Sequence, residues 1–581
     1  MYYFINLTKE LFKALPEKRK KNLVLIFFAL ALSGFLETVG IGLIIPLISE
    51  ILGTSIDIFS IKGLFNFHGL DKKTIIINLS IITIFVYLVK GIYLTLLEFY
   101  IQKFVQRIKV EISLKLYKKY INNDYELNVN TNSTILFRNL TTEATNFTSG
   151  IVEPIIMIAK EFFIIVMLLV FVITINYKVS ILIIVFSIIF VFIIKSLLSR
   201  KLESLGLIEQ EVKGKLNKVM LESLQGIKII KAYNLENLFK IKLRELSIYM
   251  GNTKAKANSI KLLPRLWIEF ILIIFLLILG ISFIYSGYTI MEFTLFSSIF
   301  LIAMLKVMPA ILSSLRVLNQ LSSYKASINL IKKELEENTE KDLTKDDEVD
   351  KKKKSNLSEF TKQFSCKEIT FKYLASEEII KDLSFEISRK NDIIGISGES
   401  GSGKTTLVDI FIGLLNPNKG TFYIDDKKVE IQDCKNIFGY VPQTTFLFDD
   451  TIKNNILMSF DEKFSVSDNL LKEVLEKTQL TDLVNSLKDK ENAIIGENGA
   501  KISGGQKQRI GIARALVRKP KILIIDEATN GLDKNTEKKI FEDLKVISKD
   551  LSIIVISHNP QIWNYCNKLF EMKNKNLVKI K

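Results

Sequence analysis

The sequence has little cysteine and little proline. Three cysteines, Cys366, Cys434 and Cys566, lie in the C-terminal part, and nine prolines are spread over 581 residues. No two cysteines have the spacing of a zinc or redox motif, which favours three reduced thiols in a reducing compartment. Because proline breaks helix interiors, its scarcity suits long uninterrupted helices.

A cleavable secretory signal is also missing. The basic residues 18–21 are followed by an apolar run far longer than the core of a signal peptide, with no small-residue cleavage site. We therefore interpret this run as a retained membrane helix.

Positive charge is in excess, with 79 Lys and Arg against 62 Asp and Glu and a formal net charge of +17. The basic residues cluster beside apolar runs, at 18–21 and 200–218, as the positive-inside bias predicts for cytoplasmic flanks. Membrane lipids are therefore the expected partner of this charge, and we expect no nucleic-acid partner.

Apolar stretches long enough to cross a bilayer dominate residues 1–330. A spanning helix needs about 20 mostly apolar residues. The long polar gaps between them carry apolar residues at helical spacing, which predicts helices that continue into the cytoplasm. The outer gap 51–73 is apolar and fits either an interfacial helix or a packed loop. Six spans are predicted, at about 22–48, 74–99, 150–175, 179–198, 264–286 and 293–320.

The chain changes character after the last span. Residues 331–360 are strongly charged and predict a solvated linker. From 361 to 581, short apolar strands alternate with helices, which indicates an α/β domain with a largely parallel sheet.

A phosphate-binding loop opens this second domain. It follows a strand at 393–397 and precedes a helix at 405–415, the context in which the P-loop pattern is meaningful. Its glycines let backbone N–H groups converge on phosphate oxygens, and the helix N-terminus adds positive charge. Lys404 should reach the β- and γ-phosphates of ATP, and Thr405 should ligate Mg²⁺. The predicted ATP-binding residues here are Gly398, Glu399, Ser400, Gly401, Ser402, Gly403, Lys404, Thr405 and Thr406.

Two adjacent carboxylates end an apolar strand at 522–525. We predict that Asp526 holds Mg²⁺ and that Glu527, on the opposite side of the strand end, polarises the attacking water. A solvated strand terminus is the alternative. The fold class that follows is a multi-domain membrane protein, in which a six-helix all-α transmembrane domain precedes an α/β P-loop ATPase domain.

A third motif indicates a family. Residues 502–514 read ISGGQKQRIGIAR, which resembles the signature of ABC ATPases, usually written LSGGQ, with Ile502 in place of leucine. The motif precedes a helix and so offers a second anion-binding helix start. The resemblance implies that two ATPase domains sandwich two ATP molecules head to tail. The residues that would bind the γ-phosphate of the partner's ATP are Ser503, Gly504, Gly505 and Gln506.

The same resemblance implies further roles. Tyr373 would stack on adenine, Gln443 would sense Mg²⁺ and couple to the membrane domain, and His558 would contact the γ-phosphate. Asp533 matches the end of the D-loop, although residues 530–531 are Asn-Gly where Ser-Ala is usual. The predicted catalytic residues are thus Glu527, His558, Gln443 and Lys404, and the predicted Mg²⁺ ligands are Thr405, Gln443 and Asp526.

The order of domains points to an exporter. Residues 496–499, GENG, resemble the X-loop of exporter-type ABC proteins, and six spans precede a single ATPase domain. One complete catalytic set per chain implies a homodimer, with a heterodimer as the alternative. The resemblance also places coupling helices at 132–142 and 217–225, where a packed helical hairpin is the alternative.

A finer resemblance concerns the membrane part. Residues 35–46, FLETVGIGLIIP, and 263–269, LPRLWIE, look like the PglK family of bacterial lipid-linked oligosaccharide flippases. This implies a bacterial inner-membrane protein that flips a polyprenyl-pyrophosphate-linked oligosaccharide, with Arg265 as a pyrophosphate contact. Lys306 and Arg316 are further cationic candidates, because charges inside a membrane often mark a pathway; structural pairing is the alternative for each. Exporters of peptides, drugs or other lipids would have the same architecture.

Overall fold

The chain divides into two units by its internal contacts. One comprises Met1–Ile121 and Ser133–Glu340, here called the helical unit, and the other comprises Asn122–Asn132 and Lys341–Lys581, here called the sheet unit. The computed structural model describes residues 17–52, 71–129, 131–175, 177–285, 290–323, 325–336, 362–373, 377–388, 391–458, 468–527 and 534–581.

Very long helices build the helical unit. The longest has 51 residues and rises about 75 Å at 1.5 Å per residue. That is more than twice the roughly 30 Å hydrocarbon core of a bilayer, so such helices extend well beyond a membrane. In chain order the helices are α1 (Glu17–Leu52), α2 (Lys72–Asn122), α3 (Tyr125–Val129, in the sheet unit), α4 (Ser133–Arg138), α5 (Ala144–Phe147), α6 (Glu153–Ile175), α7 (Tyr177–Gln225), α8 (Ile227–Ala232), α9 (Glu236–Tyr285), α10 (Ile290–Ser323) and α11 (Lys325–Glu336), with π-helical turns at Asn139–Glu143 and Thr148–Val152.

Among the described residues, four stretches are long and apolar enough to cross a membrane. They overlap four of the six predicted spans. The other two predicted spans, 179–198 and 264–286, lie on α7 and α9, where many side chains are outside the described part of the chain. The outer gap 51–73 is almost wholly outside it as well. The four stretches are Arg19–Ile48, Lys72–Asn122, Ile135–Thr174 and Ser297–Ser314.

The surface of the helical unit is strongly apolar. Phe28, Phe85 and Leu277 are each more than 60% exposed. Apolar side chains in such positions would be unfavourable against water, at about 25 cal/mol per Å², but not against lipid. The exposed faces of these helices therefore agree with a membrane-embedded unit.

One boundary differs from the predictions, whereas the first coupling helix stays a prediction. Helix α11 continues to Glu336 and buries Ile331 completely, so residues 331–336 are part of the helical unit rather than a solvated linker. In the first long gap, residues 122–132 belong to the sheet unit, and residues 133–142 of the predicted coupling helix belong to the helical unit. The reason is that Leu136 and Leu140 pack against the core of the helical unit.

The second predicted coupling helix is also part of a longer element. Residues 217–225 form the last turns of α7, and Val219 is buried there. The helix ends at Gln225, and Gly226 is the N-cap of α8, which begins at Ile227. Met220 and Leu224 are exposed in these turns, and the coupling helix at 217–225 stays a prediction.

The sheet unit contains two sheets among its described residues. Four adjacent pairs of the six-stranded sheet, from β9 to β6, are parallel, and the edge strand β10 is antiparallel; the order is β10-β9-β3-β8-β7-β6. Strands β7 and β8 are buried along their whole length, which explains their continuous apolar sequences. The α/β prediction is confirmed. The strands are β1 (Gln363–Lys372), β2 (Glu378–Ser388), β3 (Ile393–Gly398), β4 (Lys419–Ile424), β5 (Lys427–Val429), β6 (Phe438–Val441), β7 (Ile522–Asp526), β8 (Ser552–Ile556), β9 (Lys568–Lys573) and β10 (Asn576–Lys579).

Helices and an antiparallel sheet accompany this central sheet. The second sheet has the order β2-β1-β4-β5. The helices of the sheet unit that follow α11 are α12 (Lys404–Phe411), α13 (Ile452–Leu457), α14 (Asp468–Lys477), α15 (Thr481–Ser486), α16 (Gly504–Leu516) and α17 (Lys534–Ile547).

Candidate nucleotide site

The predicted catalytic residues gather because of the sheet topology. Parallel strands end at the same edge of a sheet, and ligands of α/β domains bind outside that edge. The P-loop follows β3, Gln443 follows β6, Glu527 follows β7 and His558 follows β8. Four motifs that are far apart in sequence are therefore brought to one edge.

The P-loop is shaped by glycines in the left-handed region. Gly401 and Gly403 have φ of +81° and +102°, and a Cβ at Gly403 would lie 2.9 Å from a methyl carbon of Ile379. Only glycine adopts this backbone without strain. Lys404, 6% exposed, begins α12, and its Nζ donates to the carbonyl oxygens of Gly398 and Glu399 at 2.8 Å each.

The loop fits a phosphate group. The Ser402 hydroxyl is buried without a hydrogen-bond partner in the described structure, and the N-terminus of α12 faces the same loop. Burial lowers the pKa of Lys404, while Glu527 and Asp526 act in the opposite direction. An unsatisfied hydroxyl, a helix start and a buried ammonium are together the donor set that phosphate oxygens require.

Two buried carboxyl groups, those of Asp526 and Asp409, lie beside this loop. Asp526 is 4% exposed; burial and the neighbouring Glu527 raise its pKa, against the effects of Lys404 and of a hydrogen bond from Tyr440. Burial and Asp526 also raise the pKa of Asp409, on α12, to about 6. A buried acidic group of this kind suits a hard divalent cation such as Mg²⁺.

Glu527 is held by two donors. Gln443 Nε2 donates to Glu527 Oε2 at 2.9 Å, and His558 Nε2 donates to Oε1 at 2.9 Å. The backbone of Glu527 is left-handed, with φ +47°, and its N–H donates to the carbonyl oxygen of Ile556. Because both partners are donors, the arrangement suits the ionised carboxylate, which is the form that a general base needs.

The signature segment has its own local structure. Ser503 caps α16: its hydroxyl accepts from the N–H of Gln506 at 3.3 Å, and its own N–H donates to Gln506 Oε1 at 2.8 Å. A Cβ added at Gly504 would meet nothing within 4 Å. The start of α16 is therefore a rigid turn with an open face.

Three residues of the site, Tyr125, Tyr440 and Asp409, were not found from the sequence. Tyr125 of α3 interacts with Asp409 and Tyr373, and burial raises the pKa of its phenol. Tyr440 donates to Asp526. Tyr440 belongs to the same strand as the Gln443 motif, which is a weak signal, but no sequence pattern links Tyr125 to this unit. Tyr373 also lies 3.4 Å from the Thr406 hydroxyl, oxygen to oxygen.

The remaining predicted residues are only partly described. Asp533 and the side chains of Arg265 and Arg316 lie outside the described residues. In the helical unit, Lys306 Nζ lies 3.3 Å from Glu37 Oε2, and Lys90 Nζ lies 2.7 Å from the same oxygen.

Two family models match separate parts of the chain. Residues 23–307 match the model described as ABC transporter transmembrane region, and residues 380–530 match the model described as ABC transporter. The solved structure of a bacterial Atm1-family ABC exporter with ATP bound has the same fold, with a TM-score of 0.69 and 16% identity over 97% of this chain and 94% of that chain. The chain therefore has the architecture of an exporter-type ABC transporter, with a transmembrane region followed by an ABC ATPase domain.

Curated relatives match over a shorter part. A protein of Rickettsia typhi named as an export ATP-binding/permease protein is 38% identical over 199 residues, 34% of each chain. The ATP-dependent lipid A-core flippase of Vibrio parahaemolyticus is 36% identical over 198 residues, 33% of this chain and 34% of that one. The chain thus spans about a third of the length of the curated relatives it matches.

Proposed function

We propose that the protein hydrolyses ATP to export or flip an amphipathic substrate across the bacterial inner membrane. The observation that carries this proposal is the position of the Glu527 carboxylate. It is held at 2.9 Å by both Gln443 and His558, beside the buried Asp526. Positioned bases of this kind activate the water that attacks a γ-phosphate.

Each residue of the site has a defined task in this reaction. The loop amides and Lys404 bind the phosphates, and Tyr373 stacks on the adenine. Thr405, Gln443 and Asp526 would hold Mg²⁺, which when bound neutralises charge on the phosphate oxygens. Glu527 accepts the proton of the attacking water, and His558 keeps the Glu527 carboxylate in place.

We propose a homodimer as the working form. The chain carries one P-loop and one signature turn, and the start of α16 has an open face at Gly504. A second copy can therefore supply its Ser503 turn to the ATP bound at the first copy's loop. Asp533 would lie at the same contact. The dimer is favoured by ATP only to the extent that ATP binds its closed form more tightly.

The proposed substrate is a polyprenyl-pyrophosphate-linked oligosaccharide. Glu37, Lys90 and Lys306 carry a net charge of +1, and the Lys306 side chain is 43% exposed whereas Lys90 is 7% exposed. A partly exposed cation among membrane-spanning helices suits an anionic headgroup. Arg265 and Arg316 are proposed to add to this charge. Export of another lipid is the second candidate, supported by the similarity to a lipid A-core flippase.

The ATPase proposal is tested with Glu527→Gln. This change keeps the shape of the side chain and removes the base, so kcat should fall by about 10²–10⁴-fold. ATP should then remain bound in a stable two-copy assembly, measured by size-exclusion chromatography with radiolabelled ATP. Glu542→Gln, on the exposed face of α17, is the matched control and should behave like the unmodified protein. A single copy with full activity, indifferent to Ser503→Arg, would contradict the proposal.

The substrate proposal is tested in proteoliposomes. A fluorescently labelled polyprenyl-pyrophosphate oligosaccharide should change leaflet only when ATP is present, and it should stimulate ATP hydrolysis. Lys306→Met should abolish the stimulation and leave basal hydrolysis intact. Transport of lipid A or of a peptide, with the pyrophosphate lipid staying in its leaflet, would overturn the proposed substrate and leave the ATPase proposal standing.

A further inference from the structure

The segment that follows Gln443 packs unusually closely against α16. A Cβ added at Gly511, in the middle of α16, would lie 2.6 Å from the Thr445 hydroxyl oxygen. A side chain at position 511 fits only if the Thr445 side chain moves. Gly511 therefore lets the Thr445 side chain lie directly against α16, although glycine has a weak helix propensity.

Asn455 supplies three hydrogen bonds to the backbone of this segment. It is fully buried on α13, its Nδ2 donates to the carbonyl oxygens of Phe448 and Thr451 at 3.0 Å each, and its Oδ1 accepts from the N–H of Phe448 at 2.9 Å. A buried irregular segment needs such partners, because unpaired backbone groups are costly. The side-chain amide of Asn455 thus satisfies the backbone groups of Phe448 and the carbonyl oxygen of Thr451.

Arg514 joins α16 to the same segment through three N–H groups. Its Nη1 donates to the carbonyl oxygen of Phe446 at 2.9 Å. Its Nε donates to the carbonyl oxygen of Asn455 at 2.8 Å, and Nη2 donates to Asn455 Oδ1 at 3.3 Å. A planar guanidinium can satisfy several acceptors in a fixed geometry, and a lysine ammonium cannot reproduce it.

Both ends of this arrangement lead to the nucleotide site. Arg514 is near the end of α16, the helix that Ser503 caps, and Phe446 is three residues from Gln443, which holds Glu527. A helix of this length is a rigid rod of roughly 16 Å between Ser503 and Arg514. A displacement of the Ser503 turn is therefore passed to the segment that carries Gln443.

We propose that Arg514 and Gly511 are positioning residues. They fix the position of Gln443, and through it that of Glu527, relative to the Ser503 turn of the same chain. The proposal rests on the ATPase function proposed above. It assigns to residues outside the nucleotide site the task of making hydrolysis depend on the state of the signature helix. Arg514 and Gly511 themselves touch neither nucleotide nor the reacting water.

The test compares four variants of the full-length protein. Arg514→Lys keeps the positive charge and loses the planar guanidinium that donates three hydrogen bonds. Arg518→Lys, at an exposed position four residues further on, is its matched control. Gly511→Ala improves helix propensity but pushes Thr445 away, and the double variant Gly511→Ala/Thr445→Ala restores the space. Displacement of a catalytic group by about 1 Å costs up to about 10²-fold. We therefore expect kcat to fall about 10- to 100-fold in Arg514→Lys and Gly511→Ala, with KM for ATP unchanged.

Recovery of kcat in the double variant and normal kinetics in Arg518→Lys are also expected. If Arg514 and Gly511 had a merely structural role, their variants would yield less folded protein, without a selective fall in kcat at unchanged KM. Equal kcat in Arg514→Lys and the unmodified protein would overturn the proposal, and so would failure of the double variant to recover.

Hydrogen exchange separates this proposal from the ATPase proposal. Magnesium AMP-PNP should slow amide exchange in residues 443–455 and at the start of α16 together, and Arg514→Lys should leave only the second effect. If the unmodified protein proves unable to hydrolyse ATP, this linked protection still supports the positioning role. If magnesium AMP-PNP protects only one of these two regions in the unmodified protein, the proposal is overturned whatever the ATPase activity.

Discussion

Replacement of Glu37, in the helical unit, should be strongly destabilising. Its Oε2 faces Lys90 Nζ at 2.7 Å and Lys306 Nζ at 3.3 Å. The side chains of Glu37 and Lys90 are 11% and 7% exposed, so water cannot compensate for a lost partner. Glu37→Gln leaves two ammonium groups together without a counter-charge among membrane-spanning helices.

The magnitude follows from the burial of the pair. Removing one partner of a buried ion pair costs about 3–5 kcal/mol, because the other charge stays buried. Lys90→Met should cost much less, since Glu37 keeps Lys306 as a neutralising partner. In the double variant only the half-exposed Lys306 remains charged, and it can reach water through its flexible stem. Lys90→Met should therefore partly rescue Glu37→Gln.

The assay is the temperature at which folded protein is lost in detergent, followed by size-exclusion chromatography. Glu98→Gln is the matched control, because Glu98 is 46% exposed and lies 3.6 Å from Lys160; its effect should stay below about 1 kcal/mol. The reasoning is refuted if Glu37→Gln is as stable as the unmodified protein, or if adding Lys90→Met makes it less stable.

Two further predictions concern the sheet unit. The pKa of Asp409 is raised from 3.8 to about 6, so the folded state loses stability as the pH rises from about 4 to 6. A difference of this size corresponds to about 3 kcal/mol. Solvent screening reduces the expected effect to about 1–2 kcal/mol. Asp409→Asn should raise the thermal unfolding temperature at pH 7.5 and lose that gain towards pH 4, and an equal gain at both would contradict this. Burial also raises the pKa of Cys366, Cys434 and Cys566 to about 12, so maleimide should label none of them at pH 7 until guanidinium unfolds the protein; rapid labelling of the folded protein would show the burial to be wrong.

The secondary structure around the motifs is confirmed where a short segment determines it, and the roles of the motif residues stay predictions. A P-loop needs its glycines and Lys404 within one turn, and the signature needs Ser503 directly before a helix. The apolar sequences of β7 and β8 indicate strands buried on both faces. In each case the residues that interact are neighbours in the chain, so one sequence is enough.

The parts that were missed depend on distant partners. Asn455 and Arg514 are 59 residues apart, and Glu37 and Lys90 are 53 apart. No local pattern distinguishes such cross-links from solvated polar side chains. The boundary of the linker was wrong for a related reason: residues 331–336 are mostly charged, but Ile331 is buried, Leu335 packs against the helical core and Lys119 pairs with Glu334.

The backbone of Glu527 adds a physical reason to regard it as the base. A non-glycine residue with φ +47° costs about 1–3 kcal/mol, and long side chains are rarer there than Asn or Asp. Asp526, one residue earlier, belongs to the regular strand β7. The turn directs the Glu527 carboxylate away from the strand, where Gln443 and His558 hold both of its oxygens. Strain at this residue and regular geometry at its neighbour are expected where the position of one carboxylate matters more than local stability.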